Sequence, residues 1–243
     1  GGGTGGSRSL PVGGAALADA VENALAKARA QAARMLGANE AALTFSEGTF
    51  TLAGTNRFVS LSELAAEAAR HGETLGAAGA FKPSAATFPN GCHVCEVEID
   101  PETGAVVIVG YTIVDDFGVV LNPLLLAGQV YGGVAQGIGQ ALLEKVVYDP
   151  ESGQLLSGSL MDYGLPRAAD MPSFRFAANE VPCRANPLGV KGAGEAGAIG
   201  APPAVINAIV DALAPLGIRH IDMPATPHAV WRALRQAQAG EPL

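Results

Sequence analysis

Five glycines, Gly128, Gly132, Gly133, Gly137 and Gly139, punctuate the apolar stretch from Leu124 to Leu143, and they limit what the chain can fold into. Asn122-Pro123 just ahead is a helix-start signal, because Asn caps well and Pro is tolerated at the first helical position. Inside a helix, glycine costs roughly 1 kcal/mol relative to alanine. A helix carrying so many either packs its backbone closely against another element or breaks. Gln129, Gln136 and Gln140 stand among these glycines, and Gln129 and Gln136 share a face if the helix is continuous. An amide donates a hydrogen bond without bringing charge, so these side chains suit either a ligand's polar atoms or plain solvent.

The rest of the chain mixes helical and strand patterns without regular alternation. Leu17, Val21, Leu25, Ala28, Ala32, Met35 and Leu36 recur at helical spacing between Gly13 and Leu36, with Asp19, Glu22, Lys27 and Arg34 opposite and Gly37 as a stop. Two short strands fit Ala41 to Thr55. Ser60-Leu61-Ser62-Glu63 reads as a capping box opening a short helix that ends near Gly72. Strand patterns fill about Leu75 to Asp116, with a turn at Ile99-Asp100-Pro101-Glu102-Thr103-Gly104 and a β-branched run from Val106 to Val114. Val146 to Leu156 reads as a hairpin and Phe174 to Ala178 as a strand. Pro202-Pro203 reads as the opening of a helix through Val205, Ile209 and Leu213, and the last helix starts near Pro227. The pattern indicates an α+β fold of mixed strands and helices. No repeat or linker divides it, so residues 1–243 read as one region. The finer division is two closely packed subdomains with a boundary between 75 and 120.

Hydrophobic residues make up 49% of the 243, enough for a sizeable core. The net charge of -8, with no basic stripe, argues against a nucleic-acid partner. No apolar run reaches the roughly 18 residues of a membrane helix, so no span is expected. The chain opens on Gly1-Gly2-Gly3-Thr4 and reads as a fragment or one piece of a longer or split polypeptide. Cys92 and Cys95 form a C-x-x-C within an alternating strand pattern. Residues three apart on a strand face opposite ways, which points to a structural role, and the lone Cys183 reads the same way.

Three segments carry candidate chemistry. In Gly189-Val190-Lys191-Gly192-Ala193-Gly194-Glu195-Ala196-Gly197, glycines flank a single carboxylate just ahead of a helix. Such a loop turns backbone amides toward an anion, and its Glu can act as a general base on a ligand within reach; equally, it can be a tight loop with an exposed Glu. Lys191 lacks the frame of a phosphate loop. Gly192-Ala193-Gly194 with Gly197 satisfies G-x-G-x-x-G, but without the strand-helix-strand surroundings that dinucleotide binding requires. The second segment is the glutamine-bearing helix. The third, Gly3-Thr4-Gly5-Gly6-Ser7-Arg8-Ser9, is either an anion nest or a frayed terminus.

In order along the chain, Thr4 to Ser9, Val97 to Gly104, Asp115-Asp116-Phe117-Gly118, Asn122-Pro123, Gly128 to Glu144, Lys191 to Pro203 and Met223 to Pro227 together resemble the molybdopterin-binding large subunit of the xanthine oxidase family of molybdenum hydroxylases. Within that family they are similar to aerobic carbon monoxide dehydrogenase large-chain homologues. The resemblance covers nearly the whole chain and implies a C-terminal part of that subunit. It implies that Glu195 is the catalytic base, that Gln136 lies beside the molybdenum, and that Thr4, Gly5, Gly6, Ser7, Lys191 and Gly192 cradle the pterin dinucleotide. Gln129 and Gln140 become further cofactor contacts. The implied cofactor is molybdenum-molybdopterin in its cytosine dinucleotide form, held through the pterin dithiolene with no direct protein ligand to the metal. Partners implied are the upstream half of the same subunit, an iron-sulfur subunit carrying [2Fe-2S] and an FAD subunit, in a dimer of heteromers in the cytoplasm or periplasm. Carbon monoxide, an aldehyde, a purine and a nicotinate-like heterocycle all remain open as substrates. A non-catalytic module that completes a partner's site, and a nucleotide-binding protein using the glycine loop, are the competing readings.

Overall fold

A computed structural model describes residues 3–240. The chain divides into two compact units. One comprises Ser9–Ala85 and Ala185–Leu188; the other comprises, among the described residues, 3–8, Ala86–Arg184 and 189–240.

In the first unit a π-helical turn, Ser9–Gly14, leads into α1, Ala15–Leu36, which Gly37 ends in the left-handed conformation (φ 56°). An antiparallel meander of β1 (Leu43–Ser46), β2 (Thr49–Leu52) and β3 (Phe58–Ser60) follows, and then α2, Leu61–Arg70. The capping box forms as expected: Ser60 N–H donates to Glu63 at 2.8 Å and Glu63 N–H to Ser60 Oγ at 3.3 Å. The core is Ala28, Ala32, Ala33, Leu36, Leu43, Phe50, Val59 and Leu64. Two expectations change here. Leu17, Val21 and Met35 of the apolar stripe are exposed, and α1 buries small residues instead. The chain from Leu75 does not form a strand. Its backbone is bonded to α1 side chains: Asn23 donates to Ala78 O, Lys27 to Gly76 O, and Ala80 N–H donates to Asp19.

In the second unit β4 (Asn90–Ile99) and β5 (Val106–Asp116) form an antiparallel hairpin, and β6 (Phe174–Ala178) lies parallel to β5. The register shifts between Glu96 and Val97. This irregularity changes the alternation of β5, so that Ile108, Tyr111 and Ile113 are all buried. The predicted hairpin around Asp149–Gly153 is reduced to a single bridge between Tyr148 and Leu155. Asp149 Oδ1 there accepts from the Glu151 and Ser152 amides and the Ser152 hydroxyl, closing the turn.

Three helices cover this unit: α3 (Pro123–Leu142), α4 (Ala196–Leu213) and α5 (Pro227–Ala239). The glycine-rich helix α3 is continuous, with Asn122 capping it through Leu125 N–H. Its glycines serve a close approach to α4. A Cβ on Gly197 would lie 2.5 Å from Val130 O, one on Gly133 3.0 Å from Ala198 N, and one on Gly137 2.7 Å from Ala201 Cβ and 2.8 Å from Pro202 Cδ. The last contact explains a correction: Pro202 and Pro203 lie inside α4 and do not open it. The Pro202 ring occupies the space left by Gly137, while both prolines withhold an N–H from the preceding turn. The stretch Ala196–Leu216 is also long and apolar enough to cross a membrane, against the sequence expectation. In the fold, however, its Ala201, Val205, Ile209 and Leu213 are core residues packed with Val130, Val134 and Ile138 of α3.

The helix contact predicts opposite outcomes at two α3–α4 glycines. Gly197→Ala should lower the free energy of unfolding by about 1–3 kcal/mol, through overpacking. Gly132→Ala, where a Cβ meets nothing within 4 Å, should be neutral or stabilising by up to about 1 kcal/mol. Denaturant midpoints of the two variants check this, and equal shifts would rule out the close approach.

Candidate active site

The loop carrying Glu195 is anchored by Asp116 at the end of β5. Asp116 Oδ1 accepts the amides of Gly118 (2.8 Å) and Val181 (3.1 Å), and Oδ2 forms an ion pair with Lys191. The Lys191 and Asp116 side chains are 11% and 7% exposed, so the pair is buried. Around it the backbone closes: Lys191 N–H donates to Phe117 O (2.7 Å), and Val119 N–H to Gly189 O (2.9 Å). Gly118 and Gly189 both take positive φ (67°), and a Cβ on Gly118 would lie 2.2 Å from Gly189 O.

From that anchor the loop runs to the start of α4. A Cβ on Gly192 would lie 2.2 Å from Ser7 O, so glycine at this position admits the N-terminal segment. Ser7 Oγ donates to Glu195 Oε2 at 2.7 Å, and Gln129 Nε2 of α3 donates to Gly194 O at 2.9 Å. Glu195 is the exposed residue preceding α4, and Ile199 N–H donates to its carbonyl.

The structure thus brings together Ser7, Gly192, Glu195 and Gln129. Thr4, Gly5 and Gly6 lie exposed on the same N-terminal segment as Ser7. Gln136 and Gln140 are exposed on α3 and share a face with Gln129, about 10 and 16 Å further along the helix axis. Lys191 differs from its sequence assignment: its ammonium is committed to Asp116. Sequence reasoning gave Asp116 no role. Its only signal was the Asp115-Asp116-Phe117-Gly118 run at the end of a buried strand.

A second polar cluster lies beneath α4. The His93 ring sits between the Tyr111 hydroxyl (2.9 Å from Nδ1) and the Asp115 carboxylate (3.3 Å from Nε2). A Cβ on Gly200 of α4 would approach the ring to 2.6 Å. Burial raises the Tyr111 hydroxyl above its ordinary range, and the charges of Cys95 and Asp115 add to this. Burial, helped by Glu96, pushes the Cys95 thiol up to about 11. Cys92 is exposed and Cys95 faces the other side of β4, as the strand alternation requires. Among the described residues no group of three His, Cys, Asp or Glu could hold a metal ion.

Comparison with known proteins shows which family the chain resembles. A family model described as the molybdopterin cofactor-binding domain matches residues 1–172. The carbon monoxide dehydrogenase large chain of Hydrogenophaga pseudoflava is 36% identical over 240 residues, 96% of this chain and 30% of that one. The nicotine 6-hydroxylase large subunit of Paenarthrobacter nicotinovorans is 37% identical over 97% of this chain and 30% of its own length. The crystal structure of quinoline 2-oxidoreductase from Pseudomonas putida 86 superimposes with a TM-score of 0.85 at 34% identity, covering 96% of this chain and 31% of that chain. The chain therefore spans about 30% of the length of the curated relatives it matches. The Glu195 loop lies beyond the family-model match but within the span these relatives share with the chain.

The Asp116 anchor has a pH signature. Burial alone would raise the Asp116 carboxyl, but hydrogen bonds from Lys191, Gly118 and Val181, with the Lys191 charge, outweigh it and hold the group below its ordinary value. The unfolded chain then takes up this proton more readily than the folded one. The contribution to stability is fully present above the ordinary aspartate range and is lost as pH falls through the lowered folded value. Asp116→Asn should cost about 3 kcal/mol or more at neutral pH, because Lys191 is left buried without its partner. It should also flatten this part of the acid limb. Unfolding measured across pH 3 to 7 checks both; an unchanged acid limb would show that the pair contributes nothing.

Proposed function

The chain belongs to the molybdopterin cofactor-binding domain family of xanthine oxidase-type large subunits, and from that premise we propose that it contributes the base-bearing wall of a molybdenum hydroxylase active site. In this reading Glu195 is the general base. The observation that carries it is the exposed carboxylate at the head of α4, held at one oxygen by Ser7 and set in a loop whose glycines let the Ser7 segment and α3 pack close beside it. The donor set fits the cofactor. Exposed neutral amides on one face of α3, the α4 N-terminus, and a glycine-rich segment in which a Cβ on Gly5 or Gly6 would meet nothing within 4 Å suit a flat, hydrogen-bonding, anionic group. Gln136, Gln140, Thr4, Gly5 and Gly6 would hold it, with Ser7 and Gln129 acting through their bonds to Glu195 and its loop. Lys191 serves the site by fixing that loop.

When bound, the molybdenum cofactor supplies the two-electron oxidant and the water-derived nucleophile. Glu195 Oε1 takes the nucleophile's proton while Oε2 stays bound to Ser7. Gln136 orients the oxygen face of the site without adding charge. The substrate class is an aldehyde or N-heterocycle carbon, or carbon monoxide. A nicotine hydroxylase, a quinoline oxidoreductase and a carbon monoxide dehydrogenase among the relatives support that range. The relatives are large chains or subunits of complexes, which supports [2Fe-2S] and FAD partner subunits taking the electrons, together with the remainder of the large subunit. A cytosine dinucleotide cofactor, a dimer of heteromers and a cytoplasmic setting complete the proposal.

Glu195→Gln in the assembled enzyme should lower kcat by about 10²- to 10⁴-fold at equal molybdenum content, and Gln136→Ala by about tenfold. Steady-state kinetics on metal-quantified samples check this. Turnover of Glu195→Gln at the unmodified rate would remove the base assignment.

A further inference from the structure

Ser7 is one of two residues other than glycine with positive φ among the described residues, at 57°. A side chain with a Cβ disfavours that conformation, and Gly6 beside it (φ 59°) shows that the same turn accepts glycine. The surroundings are shaped to keep Ser7 there. Gly192 admits its carbonyl and Cβ, where an added Cβ would lie 2.2 and 2.7 Å away, and a Cβ on Gly194 would lie 3.0 Å from its Oγ. The hydroxyl is directed at Glu195 Oε2, 2.7 Å away.

Glu195 supplies the complementary observation. It occupies the N-cap of α4, where the first amides of the helix have no partner within it and can be capped by an anionic group. Here it makes no such capping bond and accepts from Ser7 instead. Two partner sets therefore compete for one carboxylate. One is the hydroxyl, which holds it in the open; the other is the helix amides, which would withdraw it.

We propose that Ser7 is a positioning residue for Glu195, its hydroxyl holding the carboxylate off the α4 amides and in the orientation that takes the proton. The inference rests on Glu195 being the base. It also explains why a strained serine stands where glycine would fit more easily: only the hydroxyl competes with the helix end.

The test compares Ser7→Gly with Ser7→Ala in the cofactor-loaded complex, using quinoline, nicotine and carbon monoxide as substrates with a dye acceptor. Glycine relieves the backbone and alanine does not, yet both remove the hydroxyl. Both should lower kcat about ten- to a hundredfold with KM within about twofold and unchanged molybdenum and pterin content. A crystal structure of Ser7→Gly should show Glu195 turned onto the amides of Gly197 or Ala198. Unmodified kcat in Ser7→Gly would overturn the proposal by showing that backbone shape alone matters. A loss of molybdenum in step with activity would also overturn it, making Ser7 a cofactor ligand. Failure of the base reading is separable: a fully active Glu195→Gln removes the base, while the Ser7→Gly structure still reports whether the hydroxyl holds the carboxylate.

Discussion

Helices whose backbones meet through glycine come closer than side chains allow, and the position of Glu195 follows from one such meeting. Gly133 and Gly137 of α3 receive the backbone of Gly197 and the side chains of Ala201 and Pro202, while Gly197 receives the backbone at Val130 and Val134. The contact fixes the first turns of α4 against α3, and Glu195 is the residue just before them. The same approach lets Gln129, on the exposed side of α3, reach Gly194 O with its amide. A thicker interface would separate the glutamine face from the carboxylate. The glycines lower the intrinsic helicity of α3, which the burial of Val130, Val134 and Ile138 offsets.

The second constraint is polar. Asp116 ties Gly118, Val181 and Lys191 to one carboxylate, so the loop entering α4 is held to the end of β5. A buried ion pair is a poor source of net stability, but its loss is costly because each charge is left without water. Such a pair serves geometry more than stability. The His93 cluster works similarly beneath α4. Both ring nitrogens have partners, and Gly200 gives the ring room. A satisfied polar network favours one arrangement over near alternatives that an apolar contact would tolerate.

Local signals were legible where local chemistry decides. The Ser60–Glu63 capping box, the Gly37 stop, the Asn122-Pro123 start, the Asp100–Gly104 turn and the opposed faces of Cys92 and Cys95 all follow from residues a few positions apart. Long-range contacts were not legible. Leu17 and Val21 look like core residues because helical periodicity shows that a face exists but not what covers it. Pro202-Pro203 looks like a helix start because the space provided by Gly137 lies 65 residues away. The pairing of Lys191 with Asp116 was not legible because that partner lies at the end of a strand 75 residues earlier. Glu195 itself stood out only as one carboxylate among glycines, and its part in the site came from the family pattern.

The supports of the candidate base come from widely separated parts of the sequence. Ser7 lies 188 residues from Glu195, and Gln129 lies 65 from Gly194. Residues 3–8 belong with the second unit although the first unit follows them in the chain. Closing so long a connection is costly in chain entropy, though the cost grows only slowly with length. The contact is held on a loop that Asp116 anchors to the end of β5. Glycine at 192 is decisive there, because a side chain would collide with the Ser7 backbone and keep the hydroxyl from the carboxylate. The orientation of the Glu195 carboxylate is thus a consequence of tertiary structure, set by where glycine allows three distant segments to meet.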